Sequence, residues 1–186
     1  ARPGERCRYC NVGYVLAGLA VEGVTGGPYR DYVTAEVFAP AGMASSGFFD
    51  RRWAESNVAE GFDPGPDGRL EQNLFKSPPI GSPDGGALVT AGDLLRFLAA
   101  VRRGALLPPD LTTLFLTPQV RHDDEVEYGF GLEFTGPDWW KEGCYDGASG
   151  IAMHYGRSGI DAAVLSNTRE GAWPVVRELH RLAEAG

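Results

Sequence analysis

The chain has 186 residues, of which 43% are apolar and 23% charged, a composition typical of one globular domain with a sizeable core. Its formal net charge of -8 argues against nucleic acid as a partner, because an acidic surface repels the phosphate backbone. No apolar run reaches the about 18 residues that a membrane-spanning helix needs. The longest one, residues 12–21, is interrupted by Gly13 and Gly18.

The first forty residues predict two helices. Residues 12–24 favour a buried helix that ends at Gly26-Gly27. Pro28 occupies the favoured first-turn position of a second helix, residues 29–38, which we expect Pro40 to stop.

The middle of the chain begins with a long polar segment. Residues 44–86 are rich in glycine and proline and aperiodic, which is typical of a long loop with at most a short strand or two. Thr90 followed by Asp93 is the N-terminal signal of a helix that ends near Gly104. A further short helix is predicted over residues 108–115.

Beyond residue 127 the apolar pattern changes from helical to strand-like. Strands are predicted over residues 128–134, 151–155 and 160–165, and the last two are joined by a turn at residues 156–159. An amphipathic helix over residues 173–183 closes the chain.

This order of elements predicts an α+β fold. Residues 1–127 form a mainly helical and loop region, and residues 128–186 form an antiparallel sheet with a C-terminal helix of the same domain.

The cysteines do not form a recognisable metal site. Cys7 and Cys10 make one Cys-x-x-Cys pair, Cys144 lies far from them in sequence, and the three histidines are scattered. A structural zinc site needs about four ligands, so we predict neither a metal nor a cofactor. Small, partly buried side chains are the simpler interpretation, with a disulfide or redox role as the alternative.

Tyr9-Cys10-Asn11, directly before the first predicted helix, is the first candidate for chemistry. One interpretation is structural, an aromatic side chain beside an asparagine that caps the helix. The other interpretation is catalytic, and it depends on the motifs that follow.

Six short motifs succeed one another in a fixed order. They are Pro3-Gly4 with Tyr9-x-Asn11 and Gly13-Tyr14, then Phe38 to Met43, Gly85 to Leu98, Thr117-Pro118-Gln119, Tyr128-Gly129-Phe130-Gly131 and Val164-Leu165-Ser166-Asn167. In this order they resemble the penicillin-recognising serine hydrolases, the superfamily of serine β-lactamases, DD-peptidases and esterases, and most closely its class C-like branch. The resemblance covers nearly the whole chain. It implies a β-lactamase/transpeptidase-like fold and hydrolysis of an amide or ester through an acyl-enzyme.

The resemblance also implies roles for the first motif. Tyr9 would be the general base, or part of a base network, that acts on the nucleophilic serine. Nearby cations or hydrogen bonds would have to favour its phenolate, and Arg6 and Arg8 are close in sequence. Asn11 would hold the substrate amide.

The family's second motif, Lys-Thr-Gly or His-x-Gly on a strand, is placed by this comparison at residues 145–149. Gly147 would let substrate approach the backbone, and the N–H of Ala148 would donate to the oxyanion. Tyr145, Asp146 and Ser149 would contact substrate. Tyr145 would then replace the usual cation, which favours an esterase or amidase over a true β-lactamase. The alternative is a simple turn into a strand.

The family's nucleophile is absent from the sequence. No Ser-x-x-Lys and no Gly-x-Ser-x-Gly occurs in the 186 residues. We therefore expect the C-terminal two thirds of such a hydrolase, inactive alone. The alternatives are a non-catalytic pseudoenzyme or binding module, and a purely structural fragment.

The expected partners follow from that interpretation. The substrate would be a small or peptide-like acyl compound. The first strands of the family fold pair beside the last strand, here residues 160–165, so we expect an exposed strand edge. This edge would bind the missing N-terminal segment or a second copy of the chain.

Overall fold

The computed structural model describes residue 2 and residues 7–53, 57–73 and 78–184. The helices are α1 (Asn11–Thr25), α2 (Tyr29–Val33), a π-helical turn (Thr34–Phe38), α3 (Ala39–Ala41), α4 (Ala91–Arg102), α5 (Pro109–Phe115) and α6 (Trp173–Glu184). The strands are β1 (Phe62–Pro64), β2 (Leu70–Gln72), β3 (Val120–Arg121), β4 (Glu127–Tyr128), β5 (Glu133–Thr135), β6 (Asp138–Tyr145), β7 (Ala148–Tyr155) and β8 (Ile160–Ser166). The α+β class is confirmed.

The main sheet is a six-stranded antiparallel meander in the order β3-β4-β5-β6-β7-β8. Side chains of β7 alternate strictly between buried and half-buried, because both of its faces are covered. Leu98 and Val101 of α4 pack with Trp139 on one face. Val176 of α6 packs with Met153 on the other. The predicted β7–β8 hairpin and the terminal helix on the sheet are confirmed, and β8 is an edge strand of the described sheet.

The second predicted helix does not stop at Pro40. The chain stays helical through α2, the π-helical turn and α3, and ends at Gly42, whose φ of 73° is the left-handed conformation that glycine favours. The physical reason is the π-helical turn. It precedes Pro40, which occupies the first turn of α3, where a missing N–H costs little.

The strand predicted over residues 128–134 is two strands. Gly129 donates its N–H to the carbonyl of Leu132 at 2.8 Å, and Gly131 between them has a φ of +95°. The chain therefore reverses direction, and β4 pairs with β5. Strand β6 was not predicted at all, although it is one of the longest in the sheet.

Helix α1 forms as predicted but is not buried. Gly18 is its one buried residue, and a methyl group there would collide with the ring of Pro83. Val12, Leu16 and Leu19 are 62%, 60% and 56% exposed. Their spacing places them on one side of the helix. We call these three side chains the α1 stripe.

The long polar segment holds the short hairpin β1–β2, which packs against the turn between β6 and β7. Asn73 is 3% exposed and donates its side-chain N–H to the carbonyl of Asp146. A Cβ built on Gly147 would lie 2.9 Å from Asn73 Nδ2 and 3.0 Å from the Cα of Gly61. The hairpin therefore fixes the turn that ends β6.

Buried Asp93 joins the helical region to the loop after α3. Its carboxylate accepts from the Ser45 N–H and the Ser46 hydroxyl, each at 2.8 Å, and from Arg96 Nη1 at 2.7 Å. Its own N–H is capped by the Thr90 hydroxyl, as predicted. Burial raises the pKa of Asp93, but the hydrogen bonds from Ser46, Ser45 and Arg96 outweigh it and hold the pKa below its ordinary value.

We expect Asp93→Asn to destabilise the chain by about 3 kcal/mol, because buried groups lose their charged acceptor. A carboxylate with a depressed folded-state pKa stabilises above its unfolded value near ~4 and loses that contribution as pH falls. The difference in the free energy of unfolding between the variant and the unmodified chain, measured with urea, should therefore be full at pH 7 and shrink below about pH 4. Asp110→Asn, an exposed acid in the first turn of α5, is the control. A deficit independent of pH would contradict the account.

Gly147→Ala should destabilise the chain by roughly 2–4 kcal/mol, because alanine is strained at the φ of +76° and its methyl group meets Asn73 and Gly61. Two controls separate these causes. Gly136 has a φ of +56° with nothing within 4 Å, so its alanine variant should lose only about 1 kcal/mol. Gly143 has neither constraint. Equal shifts of the urea midpoint for Gly147→Ala and Gly136→Ala would show that the β1–β2 contact contributes nothing.

Candidate active site

Tyr9 stands at the entrance to α1, next to the N-cap residue Cys10. Its side chain is about half exposed, and its ring lies 5.6 Å from the ring of Tyr14. The ammonium of Lys141 on β6 lies 4.6 Å from the centroid of the Tyr9 ring. An aromatic ring and a cation at this distance attract each other. The first candidate residue therefore meets the sheet at Lys141.

Lys141 has further contacts with two neighbouring strands. Its Nζ lies 3.0 Å from Oε1 of Glu133 on β5 and donates to the hydroxyl of Tyr128 on β4 at 3.3 Å. Its side chain is one-third exposed and that of Glu133 one-fifth, so the ion pair is only partly screened by water. The ammonium is thus held in place beside Tyr9.

Two further tyrosines complete the cluster. The hydroxyl oxygens of Tyr14 and Tyr128 are 2.5 Å apart. Burial, and then the hydrogen bond between the two hydroxyls, raise the pKa of Tyr14 well above its ordinary value. Burial also raises the pKa of Tyr128, and the charge of Glu133 adds to this against the effect of Tyr14. Both phenols therefore stay protonated at neutral pH and act as hydrogen-bonding groups.

A second strand position fits the family's Lys-Thr-Gly motif, four residues before the one that the sequence comparison gave. Lys141-Glu142-Gly143 has the Lys-x-Gly pattern itself, and its lysine is the cation beside Tyr9. The expectation that Tyr145 replaces the usual cation stays a prediction. The Lys-x-Gly pattern is visible in the sequence, because one of the chain's two lysines precedes Gly143 by two residues.

The end of β6 has an unpaired edge in the described part of the chain. β5 pairs with β6 only as far as Trp140, whereas β7 pairs with it through Tyr145. Tyr145 and Ala148 flank a two-residue turn and so exchange backbone hydrogen bonds. The N–H of Cys144 consequently points away from β7, toward the unpaired edge.

The residues predicted from the turn are engaged elsewhere. Hairpin geometry directs the N–H of Ala148 to Tyr145, so it is not free to donate to an oxyanion. Asp146 pairs with Arg169 at 3.0 Å. Gly147 is packed against Gly61 and Asn73.

Ser149 has a structural environment. It is 4% exposed, donates its hydroxyl to the carbonyl of Thr168 at 2.8 Å and accepts from the N–H of Ala172 at 3.1 Å. These bonds fix the segment between β8 and α6 and leave the hydroxyl no room for a ligand.

The remaining candidates are more open. Asn11 is the first residue of α1 and is exposed, two residues from Tyr9, and Tyr145 is 36% exposed. Arg8 is exposed, whereas Arg6 and the Pro3-Gly4 motif lie outside the described residues.

Two features are absent from the described residues. None of their helices is long and apolar enough to cross a membrane. Among them no group of three or more His, Cys, Asp or Glu side chains could hold a metal ion.

The chain is similar to penicillin-binding proteins and amidases over most of its length. Penicillin-binding protein 4 of Amycolatopsis lactamdurans is 29% identical, over 89% of this chain and 48% of that protein. The penicillin-binding protein of Bacillus halodurans superposes with a TM-score of 0.93 at 34% identity, over 97% of this chain and 57% of that one. A D-stereospecific amidohydrolase from Streptomyces sp. superposes with a TM-score of 0.78 at 25% identity, over 90% of this chain and 52% of that one.

The chain thus spans about half the length of these relatives. A family model described as Beta-lactamase matches residues 1–186. The resemblance found in the ordered motifs is confirmed, and the chain belongs to the β-lactamase family, together with the penicillin-binding proteins.

Proposed function

We propose that this chain supplies the proton-transfer and oxyanion-binding groups of a serine hydrolase that cleaves an amide or ester through an acyl-enzyme. The observation that supports this most directly is the position of Lys141, 4.6 Å from the Tyr9 ring at the start of the unpaired edge of β6. A base and a strand edge with free N–H groups are what acyl transfer requires besides the nucleophile.

In the proposed reaction a serine oxygen attacks the substrate carbonyl carbon while Tyr9 takes the hydroxyl proton. The ammonium of Lys141, 4.6 Å from the centroid of the Tyr9 ring, attracts the negative charge that develops on Tyr9 as it takes the proton. The N–H of Cys144 donates to the oxygen on which negative charge develops. Tyr9 then returns the proton to the leaving nitrogen or oxygen as the bond to carbon breaks. Asn11 holds the substrate amide.

Water completes the cycle. It attacks the acyl-enzyme, Tyr9 accepts its proton, and the proton passes back to the serine as the ester bond breaks. Tyr14 and Tyr128 remain neutral throughout, and Tyr128 keeps the ammonium of Lys141 close to Tyr9.

In this proposal the serine and its lysine come from residues outside this sequence, because no Ser-x-x-Lys occurs in it. We propose that the α1 stripe binds the segment that carries them. The stripe is apolar, exposed and on the helix that Tyr9 precedes, and the Bacillus halodurans protein is longer than the part this chain matches. The edge of β8 is a further surface on which that segment, or a second copy of the chain, would pair.

Without that segment the chain should not hydrolyse nitrocefin or p-nitrophenyl acetate above the buffer rate, because a binding cleft and an oxyanion donor give only a small part of the total acceleration. A fluorescent penicillin should leave no covalent adduct by intact mass. Steady turnover with acylation mapped to a serine of this chain, such as Ser149, would overturn the assignment of roles.

Adding the residues encoded upstream of Ala1 as a second polypeptide should restore turnover, and Tyr9→Phe should then lower kcat by about 10²–10⁴-fold because the proton acceptor is lost. Tyr32→Phe is the matched control, since that tyrosine is also partly exposed but lies on α2. A complemented enzyme that binds penicillin without turnover would instead favour a pseudoenzyme or binding module. Equal rates for the two variants would remove Tyr9 from the mechanism.

A further inference from the structure

The positive charge of Lys141 is already balanced by a carboxylate of the protein. Its Nζ lies 3.0 Å from Glu133 Oε1, and that contact uses the charge that could otherwise attract an anionic ligand. A substrate carboxylate would have to compete with Glu133, whose side chain is held on β5 and mostly buried.

A second carboxylate lies next to this lysine in sequence. Glu142 follows Lys141 on β6, where successive side chains point to opposite faces of the sheet. Burial and then the charge of Glu133 raise the pKa of Glu142. Lys141 lowers that pKa, and so does His180 of α6. Arg8, next to Tyr9 in sequence, is exposed and therefore screened by water.

We propose that Glu133 determines the charge preference of this site. The site takes amides or esters that are neutral or carry an ammonium group on the acyl side of the scissile bond, and it discriminates against those that carry a carboxylate on that side. Glu133 is a positioning residue, since it acts through Lys141. The inference rests on the proposed function, because it concerns the substrate of that reaction.

Three p-nitroanilides with one scissile bond and one leaving group test the proposal. Alanine p-nitroanilide carries a positive charge, its N-acetyl form is neutral and its N-succinyl form carries a carboxylate. With both enantiomers, the complemented enzyme should show a kcat/KM for the cationic substrate about tenfold above that for the anionic one. Glu133→Gln should reduce this ratio by about three- to tenfold, and added salt should reduce it in the unmodified enzyme.

Glu127→Gln is the matched control, because it removes one carboxylate from the neighbouring strand β4 at an exposed position. A substitution that merely loosened the fold would lower kcat/KM for all three substrates and leave their ratio unchanged. An unchanged ratio in Glu133→Gln, or an anionic substrate preferred by the unmodified enzyme, would overturn the proposal.

A binding measurement on the 186-residue chain separates this proposal from the proposed function. Reductive ¹³C-methylation labels its two lysines, Lys76 and Lys141, and requires no nucleophile. N-succinyl-alaninamide should shift the Lys141 resonance at about three- to tenfold lower concentration in Glu133→Gln than in the unmodified chain. If the variant and the unmodified chain need the same concentration of N-succinyl-alaninamide for this shift, the charge preference is overturned. If the complemented enzyme hydrolyses none of the three anilides but the resonance shifts as expected, only the proposed reaction is rejected.

Discussion

The pairing of β6 with β7 is the constraint on which the rest of the structure depends. Seven residue pairs join the two strands, from Trp139 with His154 to Tyr145 with Ala148. β7 is covered by α4 on one face and α6 on the other, so it cannot move without opening both parts of the core. This fixes Lys141 in space. Tyr128 and Glu133, on the two strands beyond it, then position its ammonium for Tyr9.

Elements with a strong local pattern could be predicted from the sequence. The terminal helix shows an apolar stripe, the β7–β8 hairpin has a turn signal, and the N-cap at Thr90 is made by its own side chain. The failures came from backbone effects that composition does not show. A π-helical turn accommodates Pro40, and the positive φ of Gly131 divides one predicted strand into two.

The site was predictable only in part, because its residues meet through the sheet and not through the chain. Tyr9 was singled out by its motif, and its proximity to Lys141 follows from the fold. Lys141 was not singled out because Asp146-Gly147 also fits a strand-end glycine, and sequence spacing alone does not say which glycine is open. In the structure a Cβ added at Gly143 would have nothing within 4 Å, whereas one added at Gly147 would meet Asn73 and Gly61.

The unequal packing of the chain implies an unequal resistance to local unfolding. The strands β5 to β8 pair with sequence neighbours and surround a core, whereas α1 is anchored by Gly18 and by the tyrosines near its start. Amide hydrogens in β7 should therefore exchange with solvent near the rate of global unfolding, and those at the C-terminal end of α1 much faster. The half of the site on the sheet should therefore open to solvent less often than the helix that follows Tyr9.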